Sequence, residues 1–240
     1  MIRRFFSQEW AKLKEMNFTD KRQYIWEYYK LHIFFISVSL IIVGSLINTW
    51  FINPPKREYL YISWQAGFVH ADTLDTLGEK LNVIVPDQNR YRVSVRSYML
   101  NDDDPQMNQA VITRFHALLS VGEIHATITT SQGIQEAADF SLIRSPAEIL
   151  AIVNESNATL YEILTQRLLT ITYMAFEEGA PDITETMAIN ISDAPMFVDM
   201  GFITDDLYLA LISNSEQVEQ VAQALAVMFG FEAERTEHIS

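Results

Sequence analysis

Between Leu31 and Pro55 the chain carries no charged residue, and Leu31–Ile52 is dominated by Leu, Ile, Val and Phe. At 1.5 Å per residue such a stretch extends about 33 Å as a helix, enough for a hydrocarbon core of about 30 Å. A buried helix of a soluble domain would carry a polar stripe. Here only Ser37, Ser39, Ser45 and a few end residues are polar, so the segment predicts a transmembrane helix over residues 31–52.

Orientation follows from the flanking charges, because Lys and Arg near a span are retained in the cytoplasm. Residues 1–30 contain seven of them, whereas only Lys56 and Arg57 follow closely. Tyr24, Trp26, Tyr28 and Tyr29 before the span, with Trp50 and Phe51 at its far end, match interfacial aromatic belts. Asn48–Pro55 offers no small-x-small cleavage site, so the anchor is expected to be retained, with the mature protein starting at or near Met1. The expected location is the cell membrane, single-pass, N-terminus inside and C-terminal domain outside. His32 reads as an interfacial residue at the helix mouth.

The organisation expected is a basic, aromatic segment (1–30), the span (31–52), a linker stiffened by Pro54-Pro55 (53–57), an α/β domain (58–232) and a tail (233–240). Net charge bounds what this domain binds. Residues 1–30 set seven bases against four acids, and the remainder sets ten against twenty-seven. Nucleic acid is excluded, since its binding needs basic patches that displace counterions. The absence of cysteine removes disulfides, thiolate chemistry, Cys-ligated metals and lipoprotein anchoring. A disulfide-free domain of this kind is ordinary outside a bacterium with a single membrane.

Strands and helices alternate after the linker. Strands are expected at 59–64, 91–98, 124–130, 186–191 and 207–212, and helices at 71–81, 105–121, 131–138, 158–174 and 215–229. Asp104 is the expected N-cap before Pro105, with Met107, Val111, Phe115 and Leu118 on one stripe; Gly122 stops that helix. Ser145-Pro-Ala-Glu148 reads as a capping box. Alternating strands and helices predict a mainly parallel sheet covered on both faces.

The stretch Gly122-Glu-Ile-His-Ala-Thr-Ile128, with the helix before it and Gln135–Leu142 after it, resembles bacterial extracellular solute-binding proteins. The ending Leu207–Phe229 is similar to the return strand and helix of the same lobe. The likeness covers roughly residues 58 to 231. It implies a periplasmic-binding-protein-like lobe, with ligand held at the carboxyl ends of strands. Two departures matter: His125 stands where that family has an Asp, and only about 35 residues, 150–185, replace the second lobe. Ala158–Met174 is therefore expected to lie as one helix across the strand ends, leaving no two-lobed pocket but room for a shallow groove near Gln132 and His125.

Candidate binding residues are His125, Ser131, Gln132, Trp64 and Asp103. Ser131-Gln-Gly133 could meet an anion at a helix N-terminus. Asn101–Asp104 lacks the spaced acids of a calcium loop and reads as a solvated turn, as does Asp205-Asp206. The histidines never occur at zinc-ligand spacing, and no G-x-S-x-G or Gly-rich phosphate loop is present. Asn154, Asn157 and Asn190 head chance sequons. No cofactor, metal or catalytic residue is expected. The reading is a non-enzymatic, membrane-tethered binding module for a peptide or envelope partner; the alternative is a small-solute-sensing accessory of a transporter.

Overall fold

The computed structural model describes residues 17–52, 54–98, 105–173, 181–202, 204 and 206–232. Asp103, Asp104 and the 233–240 tail lie outside these residues, as does Met174. The chain divides into two units, Met1–Pro55 and Lys56–Ser240.

In the first unit, helix α1 (Phe18–Ile47) runs on into a π-helical turn, Asn48–Ile52. Its Tyr29–Trp50 segment is the one helix among the described residues long and apolar enough to cross a membrane. Leu40 and Ile41 are each about two-thirds exposed within the chain, which a core helix would not tolerate.

The second unit is built on a seven-stranded sheet. Along the chain it comprises β1 (Arg57–Trp64), α2 (Ala71–Leu81), β2 (Tyr91–Ser97), α3 (Pro105–Ser120), β3 (Ala126–Thr129) and α4 (Ser131–Asp139). Then come β4 (Ile143–Arg144), α5 (Ala147–Ser156), α6 (Ala158–Thr165), β5 (Leu168–Tyr173), β6 (Ile183–Asn190), α7 (Pro195–Asp199), β7 (Tyr208–Ile212) and α8 (Val218–Met228). The strand order is β2-β1-β3-β7-β6-β5, with β4 pairing β7.

The sheet is mixed, which corrects the expectation of a mainly parallel one. Only β2/β1 and β1/β3 are parallel, where α2 and α3 supply the crossovers; β7 pairs antiparallel with β3, β4 and β6, and β5 with β6. Strand periodicity sets which side chains share a face but leaves the direction of a long-range partner open.

Alternation along the strands divides the core. Leu60, Ile62 and Trp64 of β1, Ile128 of β3 and Leu209 and Leu211 of β7 pack with α2, α5, α6 and α8. Tyr61, Ala210 and Ile212 face the other way, toward Leu119 of α3 and Ile134 and Ala138 of α4. The first face is the more thickly covered. On the second, β1 and β3 bury hydroxyls in place of apolar side chains: Ser63, Thr127 and Thr129.

Two local expectations fail for identifiable reasons. Ser145 is not a helix cap; Pro146 occupies that position without a side-chain cap, and Glu148 instead pairs with Arg144 at 2.9 Å. A single helix over 158–174 is also wrong. Asn157 caps α6, its Oδ1 accepting from Leu160 N–H at 2.9 Å, but the helix stops at Thr165. Residues 168–173 then form β5, where Thr170, Ile171 and Thr172 favour an extended chain. Thr170 meets Thr186 and Thr172 meets Thr184 through hydroxyl contacts of 3.1 and 2.9 Å. Leu168 and Ile171 match helical spacing by coincidence. The segment in place of a second lobe thus contributes α6 and an outer hairpin to the same sheet.

Candidate functional site

The parallel strands end beside the N-terminus of α4. Gln65 N–H donates to Ile128 O at 2.8 Å, which closes β1 against β3 just before Thr129 and Thr130. Past this point a groove of about 340 Å³ opens on the second face of the sheet. Thr127 and Thr129 form its floor, Phe115 and Leu119 of α3 one side, and Gly133 and Ala137 of α4 the other. Leu142, Ile143 and Ile212 make the far end apolar, while Gln65, Gln132 and Glu136 make the near rim polar. Phe140 stands at the edge, 71% exposed.

The groove exists because α4 lies very close to β3 at one point. A Cβ on Gly133 would come within 2.0 Å of Thr129 Oγ1, so only glycine allows this approach. Thr130 holds the helix start, its Oγ1 accepting from Gly133 N–H at 3.2 Å. Ser63 lies in register with Thr127, and its buried hydroxyl has no hydrogen-bond partner among the described residues.

Of the candidate residues, Gln132 lines the groove, and its Nε2 donates to Glu136 Oε1 at 2.9 Å. Ser131 sits next to it, but its N–H donates to Asp206 Oδ1 at 2.9 Å. The anion-binding position at the start of α4 is thus filled by the protein's own carboxylate.

Trp64 and His125 are buried and do not line the groove. Trp64 is 1% exposed, donates Nε1–H to Gly67 O at 3.0 Å and packs against Phe197 and Phe202 with ring centroids 6.4 and 5.1 Å away. His125, 5% exposed, precedes β3 and completes the ladder that strand has not yet begun. Its N–H donates to Tyr61 O at 2.9 Å, and its Nδ1 accepts from Tyr61 N–H at 2.9 Å. Burial lowers its pKa to about 4, against a smaller opposing effect of the Glu58 carboxylate. The ring is therefore neutral, with its proton on Nε2, and it does not line the groove.

Tyr98 packs on Phe115 with centroids 5.0 Å apart, and its hydroxyl is hydrogen-bonded to that of Tyr61. Burial, followed by the Tyr61 hydroxyl, raises its pKa well above the ordinary tyrosine value, so the Tyr98 phenol stays neutral. Among the described residues no group of three His, Asp or Glu side chains is placed to hold a metal ion. Asp103 lies outside those residues.

Sequence reasoning missed Thr127, Thr129, Phe115 and Phe140 as groove residues. The first two carried a signal: threonines alternating with Ile128 in a strand buried on both faces leave one face polar, where an ordinary buried strand would be apolar throughout. No family model matches this chain, and no curated protein or solved structure matches it.

Proposed function

We propose that the chain is a single-pass membrane protein with its N-terminus in the cytoplasm, presenting its α/β domain outside as a non-enzymatic interaction module. The observation that carries this reading is the groove between α3 and α4, open along β3, with a hydroxyl floor and the exposed Phe140 at its edge. Such a surface suits a partner that inserts an apolar side chain and hydrogen-bonds along the threonines. In this reading the domain is a single-lobe relative of extracellular solute-binding proteins. The parallel β2-β1-β3 portion and a site at the carboxyl ends of its strands support that relationship. A peptide or envelope protein is the partner class.

The size of the groove favours a second reading, a solute-sensing accessory, because about 340 Å³ falls at the small end of ligand pockets. A photoreactive benzophenone at position 140 separates the two in cells that express the protein. The interaction module is expected to give a discrete protein adduct that Gln132→Trp abolishes and that a probe at the exposed position 79 does not form. A panel of metabolites is then expected to leave the melting temperature unchanged. A solute at 100 times its Kd would stabilise by about 2.7 kcal/mol, and such a shift without an adduct supports the second reading.

A further inference from the structure

The two edges of the sheet are built differently. At the β2 edge the outward Val93 N–H donates to Asn82 Oδ1 at 2.7 Å. Gly78 of α2 lies so close to Val93 O that a Cβ there would be 3.0 Å away. Arg92 and Arg96 are tied to Glu58 and Asp75 at 2.6 and 3.0 Å. Covering helices and charged residues are the usual protections of a free edge.

At the other edge, β5 has the sequence Leu-Leu-Thr-Ile-Thr-Tyr, with no charge and no proline. Residues of an antiparallel strand alternate between exchanging hydrogen bonds with the partner and facing away from it. Thr172 faces away, since its carbonyl accepts from Gln135 Nε2 at 3.0 Å. Thr170, two residues earlier, faces the same way. The close hydroxyl contacts of both threonines with β6 fit non-hydrogen-bonded pairs, whose side chains approach most nearly.

The chain that builds this edge supplies acids and few bases. No Lys or Arg occurs between Leu168 and Glu232, and Arg167 just before them is held by Asp193 at 2.6 Å. Gln135, while donating to Thr172, also donates to Asp139 Oδ1 at 3.1 Å, which sets that carboxylate beside the strand. On the paired strand, Glu185 Oε2 accepts from the Tyr173 hydroxyl at 3.3 Å.

We propose that the β5 edge is a docking site for an extended peptide segment bearing lysine or arginine, which adds as a strand along Thr170–Thr172, takes the place of the Gln135 side chain at the Thr172 carbonyl, and sets its cations against Asp139 and Glu185. Main-chain hydrogen bonds supply the register, and the acidic flank selects the partner. The site is separate from the groove and does not depend on it.

The test uses the full chain in nanodiscs and three probes: a short acetylated peptide of alternating lysine and threonine, its glutamate counterpart, and the lysine peptide N-methylated at every residue. Only the first is expected to bind and to shift the backbone amides of Thr170 and Thr172. Thr172→Pro removes an outward N–H at a position where an edge strand accepts proline, and should abolish binding with only a small drop in melting temperature from the lost Thr184 contact. Thr170→Lys should weaken it roughly tenfold by placing a like charge on the edge. Gln132→Trp in the groove should leave it unchanged. Equal binding of the methylated or acidic peptide, unaltered binding by both β5 variants, or no binding of the lysine peptide would overturn the proposal.

Discussion

Trp64→Ala is expected to cost the second unit about 4 kcal/mol in equilibrium denaturation, since truncating a buried aromatic typically costs about 3–5 kcal/mol. The indole fills the centre of the first core face. It touches Phe197 of α7 and Phe202 beyond it, two rings that themselves meet edge-on with centroids 5.6 Å apart. Nothing can collapse cheaply into the space it leaves, because β1 is hydrogen-bonded on both sides, to β2 and to β3. The hydrogen bond to Gly67 is a smaller contribution. Trp64→Phe keeps a ring in the cavity and is expected to lose only about 1–2 kcal/mol through the missing N–H and reduced volume. A Trp64→Ala protein of native stability would place this residue in a binding surface after all.

Acidification should have a comparable effect, acting through His125. Its folded pKa of about 4 lies below the 6.5 of an unhindered imidazole, so between those values the unfolded chain binds the extra proton. Stability is therefore full above about pH 6.5 and falls as the pH drops. The loss approaches about 3 kcal/mol at pH 4, at about 1.36 kcal/mol for each pH unit below 6.5. The sign follows from geometry: protonated Nδ1 would turn from the acceptor of Tyr61 N–H into a second donor facing it, inside a buried strand pair. Asp193 has its pKa lowered by hydrogen bonding to Arg167, so it adds its own loss only at still lower pH. His125→Asn preserves an acceptor at the δ1 position and does not titrate. Denaturant midpoints across pH 7 to 4 should therefore be much flatter for that variant than for the wild type; parallel curves would show that other groups govern the acid response.

How legible these features were differs by the kind of physics involved. The span, α2, α4 and α8 could be read from the chain because each is a local pattern: an uncharged apolar run, or apolar residues such as Val221, Ala222 and Leu225 at helical spacing, all three of which are buried. Strand β5 could not, since Leu160, Ile163, Leu164, Leu168 and Ile171 keep the same spacing across a real break after Thr165. What decides the matter is a hairpin partner more than ten residues away. The lone pairing of Glu148 with Arg144 likewise defeats a capping motif that is locally complete. Helix α7 is five residues long, too short to show periodicity, yet it delivers Phe197 to the core.

In the site, Gln132 was visible because it stands at a strand-to-helix turn, where open sheets leave crevices. His125 drew attention by its place in the third strand, where the resembled family has an Asp, but a strand position is equally suited to burial. The groove floor was hidden in plain residues: Thr127 and Thr129 become informative only once Gly133 is seen to bring α4 against them. Whether a threonine face meets solvent, a helix or a ligand is a tertiary property.

A chain threaded once through a membrane with its acidic domain outside can be tested directly by cysteine labelling. The protein contains no cysteine of its own, so each introduced thiol is the only one present. Ser7→Cys reports the basic segment, and Thr76→Cys reports an exposed position on α2. With a membrane-impermeant maleimide applied to intact cells, labelling is expected at position 76 at once and at position 7 only after lysis. Labelling at position 7 in intact cells with position 76 protected, or release of the chain from membranes by carbonate, would contradict it.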